Sequence, residues 1–400
     1  MTTTEQPRMP VARTCPFAQP EQYTRMSEEQ GPVRAAIPNG KQAWVVTRHE
    51  DARSVLNDRR FSSDRLKPGF PFLVEGGNPF RRNPKPSMIS MDAPDHGPTR
   101  KAVVGEFTVK RITSLRPRIQ EITDSLIDDM LAAGGEADLV EMLSLPLPSL
   151  VICELLGVPY ADHEFFQGNT KMLVKQSTGE YERLAASDRL RDYLGDLVTA
   201  KEAAPGDDLL GRQIVKARAE GTFDHDALVS MAFLLLLAGH ETTANMISLG
   251  TLALLENPDQ RAKIEADPGR TLDAIEEMLR YFTVVDTVTS RVATEDVEVG
   301  GAAISAGDGV IVLGYTANWD PAVFEAPERL DLERGARHHV AFGFGPHQCL
   351  GQNLARAELQ IVFDTLLRRI PTLKLATSVE ELPFKTDSAV YGVHRLPVTW

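Results

Sequence analysis

The chain alternates long stretches of helical periodicity with a few short runs that carry the period of a strand. Across residues 109–279 apolar positions recur at helical intervals, which predicts amphipathic helices packed on a shared core. Residues 225–256 read as one long helix, capped by Asp224 or Asp226 and stopped before Asn257-Pro258. Its stretch 231–238 is apolar on every side, so it is expected to cross the middle of the protein. Another helix is predicted after Gly351, with Leu359, Phe363, Leu366 and Ile370 at +4, +3 and +4 and Pro371 as the stop. Strand runs are confined to 43–46, 297–299, 309–312 and 396–400. The pattern predicts a mainly α fold with small β-sheets at one side.

Composition narrows the class. A chain of 400 residues with 42% hydrophobic content can bury a large core, and no linker, low-complexity tract or repeat divides it. Residues 1–400 are therefore expected to form a single domain, with about residues 1–15 disordered. The N-terminus lacks the charged and apolar regions of a signal peptide. The central apolar run reaches only about 13 residues before His240-Glu241, against the ~20 that a span requires. A cytoplasmic protein without membrane contact is expected. Three widely spaced cysteines argue against disulfides, and a net charge of −13 makes nucleic acid an unsuitable partner.

The densest chemical signal is Phe342-Gly343-Phe344-Gly345-Pro346-His347-Gln348-Cys349-Leu350-Gly351. Gly343, Gly345 and Gly351 permit positive φ and close backbone approach, so the loop can aim several N–H groups at one sulfur where a helix begins. Those donors and the helix dipole are expected to lower the Cys349 pKa and to suit it as a thiolate ligand for haem iron. Phe342 is apolar cover. Zinc fails on ligand count, because no CxxC exists; Cys153, inside an apolar run, reads as a buried structural thiol. In the central helix, Ala238-Gly239-His240-Glu241-Thr242-Thr243 breaks several local rules at once. An interior Gly costs ~1 kcal/mol, Thr back-bonds and bends the axis, and Glu resists burial. Conflict of this kind is expected where function outranks stability.

With these motifs the chain resembles the cytochrome P450 superfamily, the haem-thiolate monooxygenases. The family pattern Phe-x-x-Gly-x-x-x-Cys-x-Gly is met at Phe342, Gly345, Cys349 and Gly351, and three further motifs follow the family's order across essentially the whole chain. The resemblance implies a triangular prism of helices around haem b (iron protoporphyrin IX), with a long central helix over the distal face and the axial thiolate from Cys349. It implies that Ala238 and Gly239 leave room for dioxygen and that Thr242 and Glu241 serve proton delivery. Glu277 and Arg280 match Glu-x-x-Arg, a structural pair that Arg329 is expected to close. His96 and Arg100 lie four apart on one face of a helix expected to start near residue 92 and run through Lys110. With Arg291 and His347 they are the implied partners of the haem propionates, and Phe342, Gly343 and Gly351 complete the implied haem contacts.

The implied reaction inserts one oxygen atom of dioxygen into a C–H bond of a lipophilic small molecule, such as a macrolide, terpenoid, steroid or xenobiotic. Electrons would come from NAD(P)H through a reductase and a ferredoxin to a monomeric enzyme. A peroxide-driven hydroxylase and a non-catalytic haem-thiolate sensor stand as alternatives; retention of Glu241 and Thr242 weighs against the former. Because an acidic enzyme repels an acidic ferredoxin, a local basic patch is expected from Arg100, Lys101, Lys110, Arg111, Arg337, His338, His339 and Arg356. The expected substrate contacts are Phe72, Arg81, Leu235, Val285, Val288 and Val390.

Overall fold

The computed structural model describes residues 6–74, 85–287 and 289–400. Its first helices are α1 (Glu21–Glu28), α2 (His49–Asn57), α3 (His96–Val103), α4 (Val109–Ala132), α5 (Pro146–Leu156), α6 (His163–Val174) and α7 (Glu180–Ala203). They are followed by α8 (Leu209–Glu220), α9 (His225–Gly239), α10 (Glu241–Glu256), α11 (Pro258–Ala266), α12 (Thr271–Phe282), α13 (Gly314–Ala317) and α14 (Gln352–Arg369). The larger sheet contains β1 (Val33–Ala36), β2 (Gln42–Val46), β3 (Phe61–Ser62), and, after the small strand β4 (Glu136–Asp138) elsewhere, β5 (Ser290–Ala293). A hairpin of β6 (Val297–Val299) and β7 (Ala302–Ile304) precedes its last strand, β8 (Gly309–Val312). The sheet order is β1-β2-β8-β5-β3, while β9 (Lys374–Leu375) and β10 (Pro397–Thr399) pair with β4 in the order β4-β10-β9. The architecture is mainly α with small sheets, and the alternating runs became β2, β6, β8 and β10. Strand β8 is central and every residue of it is buried, which is why it reads as an unbroken Gly-Val-Ile-Val run.

The core is built around α9 and α10. The Asp224 carboxylate caps α9 by accepting from Ala227 N at 3.0 Å. From Thr243 to Leu254 every residue of α10 is buried, because α5, α12 and α14 all pack on it. The predicted single helix is interrupted at His240, whose φ of −110° leaves the helical range. Thr242 Oγ1 donates to Ala238 O at 2.9 Å, and a His240 ring nitrogen lies 2.8 Å from Leu236 O, so side chains compete with the backbone at the break. By length and composition 225–256 could cross a membrane, contrary to the sequence expectation. Its surroundings here are the protein's own core.

Several other expectations need correction. The helix predicted to run through Lys110 ends at Val103, and α4 starts afresh at Val109 with Thr108 Oγ1 accepting from Arg111 N. Residues 6–15, expected to be disordered, are packed: Met9 N donates to Ala36 O at 2.8 Å, and Arg13 is buried. The Glu277–Arg280 pair is fully buried, with Nε–Oε2 at 2.7 Å and Nη2–Oε1 at 2.8 Å. Arg334, not Arg329, closes it, through Nε to Glu277 Oε1 at 3.1 Å. The turn at Ala326 (φ 44°) sends the Arg329 side chain to solvent and its carbonyl inward, where it accepts from Arg334 Nη2 at 3.0 Å. Arg280 Nη1 also donates to Asn318 O, and Asn318 Oδ1 accepts from Val340 N at 2.7 Å, so the network clamps the chain just ahead of the cysteine loop.

Candidate active site

The cysteine loop folds tightly because two glycines take left-handed backbone, Gly343 at φ 68° and Gly345 at φ 70°. A Cβ on Gly345 would stand 2.8 Å from Leu56 O of α2, so close approach demands glycine as well. Gly343 N donates to Val340 O and Cys349 N to Phe342 O, both at 2.8 Å, and α14 opens just beyond with Gly351 at its N-cap. Gly351 itself has an ordinary φ of −82° and open space where a Cβ would go, so no conformational demand selects it. The thiol departs from expectation. Burial pushes the Cys349 pKa up, and the N–H groups of Gly351 and Gln352 with the Arg100 and Arg356 guanidiniums offset that only in part. Ionisation of this sulfur would therefore accompany its ligation of a metal. Phe342 lies under the Arg356 guanidinium, 4.6 Å from its ring centroid, and Glu276 holds that guanidinium at 2.5 and 2.8 Å.

Beside the loop, α3 and β5 bring four predicted residues together. The His96 and His347 rings stand 4.1 Å apart between centroids, and Arg100 Nη2 donates to Gln348 O at 2.6 Å. Burial, then Arg291 and His96, hold His347 down to about 3; burial and Arg65 hold Arg291 down to about 10. His96 is lowered too, by burial and by Arg100. Asp92 is the nearby carboxylate, and it is committed to Ser62 Oγ and to Ser63 N at 2.7 Å. The buried Nε2 of His96 has no partner among the described residues. Cations and imidazoles that depress one another around an unsatisfied ring nitrogen suit a ligand carrying two carboxylates. Haem has two propionates, and the residues present fit it.

An open stripe is formed at the helix break. Ala238 is exposed and Thr242 half-exposed although both lie mid-chain in the central helices, so this stripe faces an opening. Leu234 continues it one turn earlier, whereas the predicted Leu235 is packed into the core. Gly239 also differs from expectation: a Cβ there would meet Ile152 at 2.9 Å, so it is required by packing against α5, and the room on the open stripe falls to Ala238. Glu241 points elsewhere. Its carboxylate takes Lys385 Nζ at 2.9 Å, and Lys385 also reaches Asn245 Oδ1 at 2.9 Å. Burial raises the Glu241 pKa, but Lys385, His240 and Lys171 together bring it below its ordinary value. His394 lies in the same field. A second buried carboxyl, Glu358 of α14 beside Thr243, is pushed up to about 8 by burial.

The depressed carboxyl sets a pH expectation. Glu241 stays ionised below the ordinary carboxylate range, and the stabilisation from its pairing is lost only as pH falls through that lowered value. Lys385→Met removes the strongest opponent of burial, so the Glu241 pKa should rise. The protonation of the Glu241 carboxyl, followed by its infrared C=O stretch, is expected to occur at higher pH in the variant. An unmoved titration would show that Lys385 does not hold the protonation state of Glu241.

Of the predicted substrate contacts, Phe72 and Val285 are half-buried, Val390 is buried, and Arg81 and Val288 lie outside the described residues. Lys385 and Arg334 escaped the sequence reading. Each is a single cation far along the chain from its carboxylate, and no local spacing marks such a pair.

Residues 183–391 match a family model described as Cytochrome P450. Over 399 residues the chain is 48% identical to the vitamin D3 dihydroxylase of Streptomyces griseolus, covering 100% of this chain and 98% of that protein. The crystal structure of cytochrome P450 MoxA from Nonomuraea recticatena is similar at a TM-score of 0.91 and 60% identity, over 98% of each chain. The mycinamicin VIII C21 methyl hydroxylase MycCI from Micromonospora griseorubida, bound to mycinamicin VIII, is similar at 0.94 and 38% identity, over 99% of this chain and 100% of the other.

Proposed function

The chain belongs to the cytochrome P450 family, and from that premise we propose how its own residues serve the oxidation of a lipophilic small molecule. It is a haem-thiolate monooxygenase. When bound, the haem supplies dioxygen activation, leaving to the protein the tasks of ligation, charge compensation and proton supply. Cys349 would ligate the iron through its sulfur, while Arg100 and Arg291 would balance the charge of the propionates and His96 and His347, held uncharged, would offer them ring N–H groups. Thr242 spends its hydroxyl hydrogen on Ala238 O, which leaves its oxygen lone pairs free to accept a hydrogen bond at the open stripe, and rotation of the hydroxyl away from Ala238 O would let it hand its own proton on while it receives another. Glu241 feeds that position when its pairing with Lys385 loosens. The observation carrying this reading is the cluster of arginines and imidazoles set against a cysteine loop whose Gly351 and Gln352 N–H groups are directed at the sulfur.

The substrate class we propose is a large polycyclic or macrocyclic lipid-like molecule, by analogy with the vitamin D3 and mycinamicin hydroxylases. Half-buried Phe72, 5.0 Å from Phe70 between ring centroids, would contribute to its apolar cover. Electrons would come from a ferredoxin and its NAD(P)H-dependent reductase to a monomer in the cytoplasm. The basic patch is smaller than composition suggested. Arg356 is taken by Glu276, Arg337 by Asp273, and His339 is buried against Glu276. Arg111 lies 3.6 Å from Glu106, and exposed Lys101, Lys110 and His338 remain, with Val104 and Val109 exposed between the two lysines. This face connects directly to the cysteine loop, through Arg100 to Gln348 O and Asn353 Nδ2 to Phe107 O at 3.0 Å.

The test is product analysis with ferredoxin, reductase and a steroid or macrolide panel, run beside Thr242→Ala. The variant should still bind haem and consume NAD(P)H while product per electron pair falls by about tenfold or more. Full coupling in the variant would remove Thr242 from proton delivery.

A further inference from the structure

The N-terminal arm places a buried cation behind the two chain segments proposed to wall the substrate cavity. Arg13 is 3% exposed, and its guanidinium is held between two phenol rings, 3.8 Å from the Tyr315 centroid and 4.0 Å from the Tyr391 centroid. It donates through Nη2 to Phe282 O at 2.8 Å and through Nη1 to Thr283 O at 3.1 Å. Those carbonyls close the C-terminus of α12, where a cation complements the helix dipole. Thr283 sits at φ 38°, a left-handed conformation that a β-branched residue rarely adopts without outside support.

The chain leaving this turn is 284–287, and its contacts return to the same cluster. Val284 O accepts from Tyr391 N at 2.7 Å, Asp286 O accepts from Gly314 N at 3.0 Å, and the Asp286 carboxylate takes the Tyr23 hydroxyl of α1 at 3.2 Å. Tyr391 itself closes the turn that carries Val390. Arg13 therefore links the turn that launches 284–287, by hydrogen bonds, to the ring that closes 388–391, by its planar face. Core filling does not account for it. Among the described residues no carboxylate hydrogen-bonds this guanidinium, although buried Asp286 lies in its field, and an apolar side chain of similar length would fill the space without burying a charge. What only the planar donor fork can do is fix the relative placement of the turn at Thr283 and the ring of Tyr391.

We propose that Arg13 is a positioning residue for substrate specificity, setting the separation of 284–287 from 388–391 and so selecting which lipophilic ring systems the cavity admits. The proposal rests on the reading that Val285 and Val390 belong to the cavity wall. It is tested on the full-length holoenzyme by spin-state titration with two probes of different width, biphenyl and progesterone. Arg13→Met and, as a second perturbation of the same clamp, Tyr391→Leu should each change the ratio of the two dissociation constants by about tenfold, the scale of one misfitted group in an apolar pocket. Haem content and the thiolate Soret band of the reduced, carbon-monoxide-treated protein should stay as in the parent. A ratio equal to the parent's in both variants, with only a lower melting temperature, would reduce Arg13 to a structural residue. Val285→Phe separates the two levels. If it shifts the ratio and the clamp variants do not, the proposal for Arg13 falls alone; if it too leaves the ratio unchanged, the wall reading fails and takes the proposal with it.

Discussion

Replacing Cys349 with serine is expected to leave a folded protein that has lost both the thiolate spectrum and catalysis. The loop is held by backbone bonds that do not involve the sulfur, Cys349 N to Phe342 O and Gly343 N to Val340 O, and by the clamp around Asn318. Circular dichroism and the unfolding midpoint of the metal-free protein should therefore change little. Serine cannot supply the anionic, polarisable donor, because its hydroxyl ionises far above any accessible pH and the buried setting that already opposes the thiolate opposes an alkoxide more. The reduced, carbon-monoxide-treated variant should lack the red-shifted Soret band of sulfur ligation, and monooxygenation should drop by about 10³-fold or more, the scale seen when a group central to the reaction is removed. Persistence of that band in the serine variant would mean that another residue ligates the iron.

The largest effect on stability is expected at Glu277. Its carboxylate receives Arg280 on both oxygens, Arg334 Nε, and the backbone N–H of Asp331 at 3.0 Å, all in a place with no access to water for Glu277 or Arg280. Glu277→Gln keeps the shape and removes the charge, leaving two guanidiniums to face each other. Breaking one side of a buried pair costs about 3–5 kcal/mol, a large share of the 5–15 kcal/mol that holds a typical domain. Because the same network anchors Asn318 and Val340 ahead of the cysteine loop, haem occupancy should fall along with the denaturant midpoint. Arg334→Ala should be similarly harmful, whereas Arg329→Ala, whose side chain is exposed, should stay within about 0.5 kcal/mol of the parent. The reverse order of the two arginine variants would restore Arg329 as the closing residue.

Much of the site was legible because its elements are local. The glycine-rich loop, the helix that opens after it, the i,i+3 pair Glu277–Arg280 and the i,i+4 pair His96–Arg100 are all set by spacing within a few residues. The break in the central helix was announced by Gly239 and Thr242, residues that unsettle a helix from within. Illegible were the cross-chain partners: Lys385 reaches Glu241 across 144 positions, and Arg334 reaches Glu277 across 57. Arg329 was the plausible choice by motif, and a turn at Ala326 turned it outward.

Local pattern alone picked out the candidate groups for chemistry: one sulfur at the mouth of a helix, a face of cations and imidazoles, and a hydroxyl beside a carboxyl where the central helix fails. It could do so because backbone dihedrals and helix faces obey short-range rules. Packing set the sign of the Cys349 shift, the face of the central helix that lies open, the cation that opposes protonation of Glu241, and the burial of Arg13 between two phenol rings. Each of these depends on desolvation and on which distant side chain arrives to compensate it, and those are properties of the packed surroundings that no local pattern carries.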